Sequence, residues 1–287
     1  MTTTMLIGSE VAERIRAEVT AAAGGLHATG ITPHLVVVLA TADESTAWYV
    51  RSIARAAERC DVRCSILDLG AGATSVRIRD ELDALSADPS VHGIILQTPL
   101  PPNADFDALA SAIAPAKDID GANPRSLGLL AAGLPAFAPA TAEAVMVLLD
   151  HYAVPLSGAD AVVVGRSTVV GKPVALLLIQ RDATVTVCHR HTKDLAEHTR
   201  RADVLIVAAG QAGLITAAHV GRHTNVIDVG TNAQADGGLV GDVDSGSVIG
   251  RVAGLTPVPG GVGPVTTALL LQHTISSACQ SLRPDPA

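Results

Sequence analysis

Aromatic residues are nearly missing from this chain: Phe, Tyr and Trp together make up 2% of its 287 residues. The core must therefore be built from Val, Leu, Ile and Ala, a set that suits parallel strands buried on both faces. Basic charge is also short, with 20 Lys and Arg against 28 Asp and Glu, a formal net charge of −8. That balance argues against a nucleic-acid or anionic-membrane partner, both of which need a positive surface. A small anionic ligand held by a few local arginines stays compatible with it. No CxxC pair occurs among Cys60, Cys64, Cys188 and Cys279, so the four read as reduced thiols. No basic-then-apolar leader opens the chain, and no apolar run reaches membrane-spanning length. The expected location is the cytoplasm.

What the chain has in quantity is aliphatic material. Hydrophobic residues reach 48% and charged ones 17%, which supplies buried cores and argues against disorder outside the last residues, Arg283–Ala287. The length suits two domains. Apolar runs of strand length recur at His34–Ala40, Arg63–Leu69, Val91–Gln97, Ala161–Val164, Thr184–Cys188, Val204–Ala208 and Val226–Val229. Helix-like stretches over Ser45–Cys60, Ser75–Leu85 and Thr141–His151 alternate with them, and after Phe106–Ile113 the stretch Ala114–Pro139 reads as irregular. Strands separated by helices at this spacing predict parallel sheets with right-handed crossovers. The fold class is α/β, with two domains meeting near the helix at Thr141.

The segment Val162–Pro173 (VVVGRSTVVGKP) joins a strand, Gly165, a polar turn, Gly171 and a helix start. Glycine lets backbone amides approach a pyrophosphate, and a helix N-terminus favours negative charge. The two glycines are six apart, so this is not GxGxxG, and the turn alone fits a plain strand-to-helix connection as well. The next strand runs into Cys188-His189-Arg190. At adjacent strand ends in a doubly wound sheet, Arg favours the 2′-phosphate of NADP where an acid would favour NAD. Arg166 and Arg190 are the candidates, with solvated surface arginines as the bland alternative. His189 and His191 lack a third ligand at metal-site spacing, so no metal is expected.

Several segments carry a more specific signal: Tyr49-Val50, Gly93–Pro101 (GIILQTPLP), Lys117–Gly121 (KDIDG), Gly165–Pro173, Asp228–Asn232 (DVGTN), Gly241-Asp242-Val243 and Thr256–Pro264 (TPVPGGVGP). In this order the chain resembles the bifunctional methylenetetrahydrofolate dehydrogenase/cyclohydrolase family over nearly its whole length. The resemblance implies an N-terminal α/β folate domain (1–143), onto which a last helix (265–287) packs back, and a Rossmann-like NADP domain (144–264). It also implies an active-site cleft between them and a homodimer. Carried over by position, Tyr49 stacks on a tetrahydrofolate-type substrate. Asp120 accepts from the donor–donor edge of the pterin, Gln97 sits at the one-carbon unit, and Pro259, Gly260 and Gly261 bring backbone close. Thr141, Gly165, Arg166, Ser167, Val170, Gly171, Arg190 and Thr231 are the NADP-site candidates.

One departure decides the expected chemistry. The family pattern YVxxKxK reads Tyr49-Val50-Arg51-Ser52-Ile53-Ala54-Arg55 here, so Ile53 stands where the catalytic Lys belongs. Hydride transfer rests on positioning and electrostatics. Hydrolysis of the methenyl product needs protons moved, help worth about 10²–10⁴-fold. Arginine is a poor base, so Arg51 and Arg55 do not replace the Lys. Cyclohydrolase loss or severe impairment is the expectation. The alternatives are transfer of the methylene to another nucleophile, folate and NADP binding without turnover, or a substitute base. The PCTPxG segment is also altered, to Pro139-Ala140-Thr141-Ala142-Glu143-Ala144, while Thr231 replaces an aliphatic residue and Thr46 a Ser.

Overall fold

In the computed structural model, which describes residues 2–234 and 237–282, the chain opens with a short strand, β1 (Thr4–Met5). It is followed by α1 (Ser9–Ala28), a helix outside the elements expected from the sequence. Its buried stripe of Val11, Ile15, Val19 and Ala23 has helical spacing. Alanines and the Gly24-Gly25 pair dilute that pattern, because they do not set an apolar face apart from a polar one.

One unit comprises Glu13–Ala140 with Thr267 onward. Its sheet has the order β3-β2-β4, all parallel, from β2 (His34–Leu39), β3 (Arg63–Asp68) and β4 (Gly93–Leu96). The central strand β2 is buried along its whole length, as its unbroken aliphatic run requires. β3 is an edge strand and leaves Ile66 exposed. Between the strands run α2 (Glu44–Arg59), whose N-cap Asp43 accepts from the Thr46 amide, and α3 (Ser75–Ala87), capped likewise by Thr74. Ile78 and Leu82 of α3 pack with Val36, Val38, Ile94 and Leu96 in the core.

A short helix, α4 (Phe106–Ala110), follows β4, and one expectation needs correction after it. The irregular stretch Ala114–Pro139 contains a helix, α5 (Pro124–Ala131). Asn123 caps it by accepting from the Arg125 amide, and Pro124 takes the first position, where a missing N–H costs nothing. Two helical turns between glycines are too short for periodicity to show.

The other unit comprises the residues through Ala12 with Thr141–Thr266. After α6 (Ala140–His151) come β5 (Asp160–Val164), α7 (Gly171–Ile179), β6 (Thr184–Cys188), α8 (Leu195–Thr199) and β7 (Val204–Val207). Then follow β8 (Asn225–Asp228), a two-residue ribbon β9 (Asn232–Ala233) with β10 (Leu239–Val240), α9 (Ser245–Val248), β11 (Gly254–Leu255) and α10 (Val262–Gln280). The six-stranded sheet is ordered β1-β11-β8-β7-β5-β6, and every ladder in it is parallel. The core gathers Val162, Val164, Leu205, Val207, Val226 and Leu255. Residues 2–12 therefore group here, not with 13–143, because β1 pairs with β11 at Thr4–Gly254 and Met5–Leu255. A two-residue strand carries no pattern by which sequence could place it. The division falls between Ala140 and Thr141. The last helix ends two residues before Leu282, and Arg283–Ala287 lie outside the described residues. No described helix is long and apolar enough to cross a membrane.

Candidate active site

The cofactor candidates converge at the C-terminal ends of β5 and β6. Val164 and Cys188 are register partners at the ends of these strands, and the Gly165 amide donates to the Cys188 carbonyl at 2.9 Å. Arg166 and Arg190 each follow two residues after this last pair. Both are exposed, and neither takes part in an ion pair among the described residues. Gly165 has φ +134°, and a Cβ there would strike the Ala208 carbonyl. A Cβ on Gly171 would strike the Gly165 carbonyl. Only glycine lets this turn close on itself. The Ser167 hydroxyl accepts from the amides of Val170 (3.1 Å) and Gly171 (3.3 Å), at the start of α7. The turn thus presents two guanidinium groups without a carboxylate partner among the described residues and a helix N-terminus, an arrangement that suits a phosphate-bearing cofactor.

The histidines nearby have local work. The His189 amide donates to Thr192 Oγ1 at 2.9 Å, and His191 Nε2 accepts from Arg190 Nε at 3.2 Å. Thr231 is exposed on the loop between β8 and β9, and Thr141 is half-buried in the first turn of α6.

Two buried aspartates, to which the sequence reading gave no role, tie the loops beside this turn. Asp228 ends β8 and accepts from the amides of Gly230, Asp242 and Val243 at 2.9–3.0 Å. Asp242 accepts from the amides of Ala209 (2.6 Å) and Gly210 (2.8 Å) and from Asn232 Nδ2 (2.9 Å). Burial pushes the Asp228 carboxyl up to about 6, against the pull of its three amides. A Cβ on Gly230 would strike the Asp242 carboxyl, and one on Gly241 the Asp228 carboxyl. The glycines of DVGTN and GDV therefore make room for the carboxylates. The motifs held the signal, but only the fold shows that each aspartate serves the other's loop.

A cavity of about 350 Å³ opens at the ends of β8 and β11, lined in part by Asp228, Gly241, Thr256 and Val258. The turn after it carries Pro259, Gly260 and Gly261. Gly260 has φ +108° and accepts from the Gly8 amide at 2.9 Å, while a Cβ on Gly8 would strike the Gly261 carbonyl.

The substrate candidates Tyr49, Gln97 and Asp120 lie in the other unit. Tyr49 is half-buried on α2, beside Trp48, which is 58% exposed. Burial and the nearby Asp120 charge push its phenol up to about 12, opposed by a hydrogen bond with the Thr267 side chain on α10. Ile53 lies one turn further along and is 0% exposed. It continues the buried stripe Thr46, Val50, Ile53, Ala57, while Arg51 and Arg55 point to solvent. Gln97 follows β4, its amide donating to the Val38 carbonyl at 3.0 Å and its side chain to the Thr98 carbonyl at 3.0 Å. Thr46 Oγ1 reaches that same Thr98 carbonyl at 3.4 Å, which brings the start of α2 to the end of β4.

The two aspartates of KDIDG divide their labour. Asp118 is 0% exposed and accepts from the Ala122 and Asn123 amides, each at 2.9 Å, and from Ser126 Oγ at 2.6 Å. It is the hub that shapes the turn into α5. Asp120 is half-buried and closely surrounded by protein, and it accepts from the Ala140 amide. Burial and the Asp118 charge push its carboxyl up to about 7, while His273 on α10 pulls it back. Gly121, which follows them, has φ +61°, and a Cβ there would strike the backbone at Pro139. An acceptor at the surface of an otherwise saturated turn, beside a phenol, is what a flat donor-edged ligand would meet.

Comparison with known proteins accounts for both units. Residues 139–282 match the family described as "Tetrahydrofolate dehydrogenase/cyclohydrolase, NAD(P)-binding domain", and residues 6–120 match its catalytic domain. The chain is 70% identical over 279 residues to bifunctional protein FolD 1 of Saccharopolyspora erythraea, covering 97% of this chain and 95% of that protein. The crystal structure of bifunctional FolD from Campylobacter jejuni is similar with a TM-score of 0.95 and 40% identity, covering 98% of this chain and all of that one. The FolD of Trypanosoma brucei, solved with NADP cofactor and inhibitor, gives a TM-score of 0.94 and 36% identity, covering 99% and 100%. With both units matched, in this order and at this identity, the chain belongs to the tetrahydrofolate dehydrogenase/cyclohydrolase family, and its second unit is the family's NAD(P)-binding domain.

Proposed function

We propose that this protein oxidises 5,10-methylenetetrahydrofolate to 5,10-methenyltetrahydrofolate with NADP, and that hydrolysis of the methenyl product is lost or severely impaired. The observation that carries the second half is Ile53, at the family's Lys position by motif and 0% exposed on the buried face of α2. An aliphatic group there moves no proton, so the general acid–base help worth about 10²–10⁴-fold is missing.

NADP rather than NAD is supported by Arg166 and Arg190, two residues beyond the paired strand ends, free of carboxylate partners among the described residues. When bound, NADP supplies the hydride acceptor. The chain's own residues orient the reactants. Tyr49 offers its ring face to the folate, Asp120 accepts from the pterin N–H groups, Gln97 donates at the one-carbon unit, and Pro259–Gly261 offer backbone. Thr141, Gly165, Ser167, Val170, Gly171 and Thr231 complete the proposed cofactor contacts. Homodimer formation is part of the same reading, supported by the open edge of β3 with Ile66 exposed.

The test is a paired assay. Methylenetetrahydrofolate with NADP should yield NADPH absorbance while methenyl product accumulates, and added methenyltetrahydrofolate should decay at the buffer rate. Decay well above that rate sinks the hydrolase claim; no NADPH at any pH sinks the dehydrogenase. A second reading keeps hydrolysis through a substitute base, and the observation in its favour is the Asp120 carboxyl, raised to about 7 beside His273.

A further inference from the structure

His273 has no part in the residues carried over from the family motifs, yet it lies behind the candidate substrate carboxylate. It sits on α10, 5% exposed. Its Nδ1 is 2.7 Å from the Ile119 carbonyl, an acceptor only, so Nδ1 carries the hydrogen and donates. Its ring packs on Phe137 with centroids 4.9 Å apart at 31°. Ile119 is the residue before Asp120, and α10 comes close because β4 begins with glycine: a Cβ on Gly93 would meet Thr274 Oγ1 at 2.8 Å and Ile119 at 3.0 Å. The imidazole is therefore fixed in position by a backbone hydrogen bond, a ring contact and close helix packing.

Its electrostatic setting is unusual. The ionisable groups facing Asp120 are Asp118 from the same turn, Tyr49 from α2 and His273 from α10. Two are acids, and the Ala140 amide adds a dipole without a charge. The position on α2 that could have carried a cation one turn beyond Tyr49 is aliphatic Ile53. Among the described residues, that leaves His273 as the basic side chain that pulls both Asp118 and Asp120 down.

We propose that His273 is a positioning residue for substrate binding: its Nδ1–H anchors the Ile119 carbonyl, and its imidazolium holds Asp120 as the carboxylate that the pterin edge requires. This inference rests on the folate reading above. A carboxylate accepts from two neighbouring N–H donors, whereas a protonated carboxyl presents a hydrogen to one of them and loses that bond. Folate affinity should then follow Asp120 ionisation, rising with pH through about 7, and the charge of His273 sets how low that rise begins.

His273→Asn tests it, because the amide can still donate to Ile119 while the titratable charge is gone. At about pH 7 the variant should raise KM for methylenetetrahydrofolate about fivefold, since a rise of one pKa unit takes Asp120 from half ionised to about one tenth. KM should approach the wild-type value at about pH 9, with kcat within about twofold throughout. A KM increase of equal size at every pH would mean a purely structural role and overturn the proposal, as would no change at any pH. His273→Gln should show the same pH-dependent defect. Should both variants fold poorly, the wild type still decides: tetrahydrofolate affinity, followed through fluorescence of the lone Trp48, must strengthen as pH rises through 7, and a flat profile overturns the idea. The two readings fail separately, since that profile without NADPH formation would sink the dehydrogenase and leave His273 standing.

Discussion

Each unit holds a pair of aspartates that shape its loops, and the two pairs differ in one member. Asp228 and Asp242 each accept three hydrogen bonds from protein donors, and each ties down a loop beside the other. In the other unit Asp118 is saturated in the same way. Asp120, two residues on, has the Ala140 amide as its donor among the described residues. Three protein donors fix a buried carboxylate as scaffold, whereas one donor at half-burial leaves acceptor capacity that a ligand could use. Residue type and burial do not separate the two roles, whereas hydrogen-bond saturation does.

The sharpest break of that comparison is Asp242→Ala. It strands buried amides at about 1–3 kcal/mol each, so thermal unfolding should show Tm lower by on the order of 10 °C. Asp120→Asn should do the reverse, raising KM for the folate by about 100-fold through a mispaired donor–donor edge. Its effect on stability has a defined sign. Asp120 is raised from 3.8 to about 7, so its stabilising contribution is present below about 4 and lost as pH rises through 7. The Asn variant should match the wild-type Tm at about pH 4 and exceed it at about pH 8; an equal Tm difference at both would remove Asp120 as the titrating group.

Ile53→Lys asks whether the site lost only its proton carrier. Methenyltetrahydrofolate hydrolysis should rise about 100-fold, with a lower Tm because the position is fully buried. A variant that folds and binds folate without hydrolysing it would refute the assignment of that position. In the cofactor unit, Arg190→Ala should weaken NADP by about tenfold or more and NAD by less than about twofold, as loss of a charge-assisted contact implies. The smallest effect concerns His34 and His92 in the folate unit. His92 Nδ1 accepts the His34 amide at 3.2 Å, and burial lowers both rings below 6.5. Stability should fall as pH drops below 6.5, and His92→Asn, which keeps an acceptor, should flatten that limb of the Tm–pH curve.

Much of this was legible in the chain itself. Unbroken aliphatic runs such as HLVVVL and AVVV mark strands buried on both faces, since no polar alternation is tolerated there. Gly165 and Gly171 mark the tight turn between β5 and α7, because only glycine avoids the carbonyls that the closure brings together. Ile53 in place of Lys needs no coordinates to be seen. Elements whose pairing is decided at a distance were hidden. β1 and β11 are two residues each and form a ladder across some 250 positions, and α5 is too short to show a period.

The sequence by itself determined the α/β layering and the family, and it nominated Tyr49, Gln97, Asp120, Arg166 and Arg190 as site candidates, because these rest on local patterns and motif spacing. Tertiary structure decided what each charged group does. Whether a buried aspartate is saturated depends on amides contributed by other loops, and whether an imidazole serves Asp120 depends on α10 closing over Gly93 more than 150 residues away in the chain. Hydrogen bonding and electrostatics act through space, so a chain read in order shows the charges and not their partners.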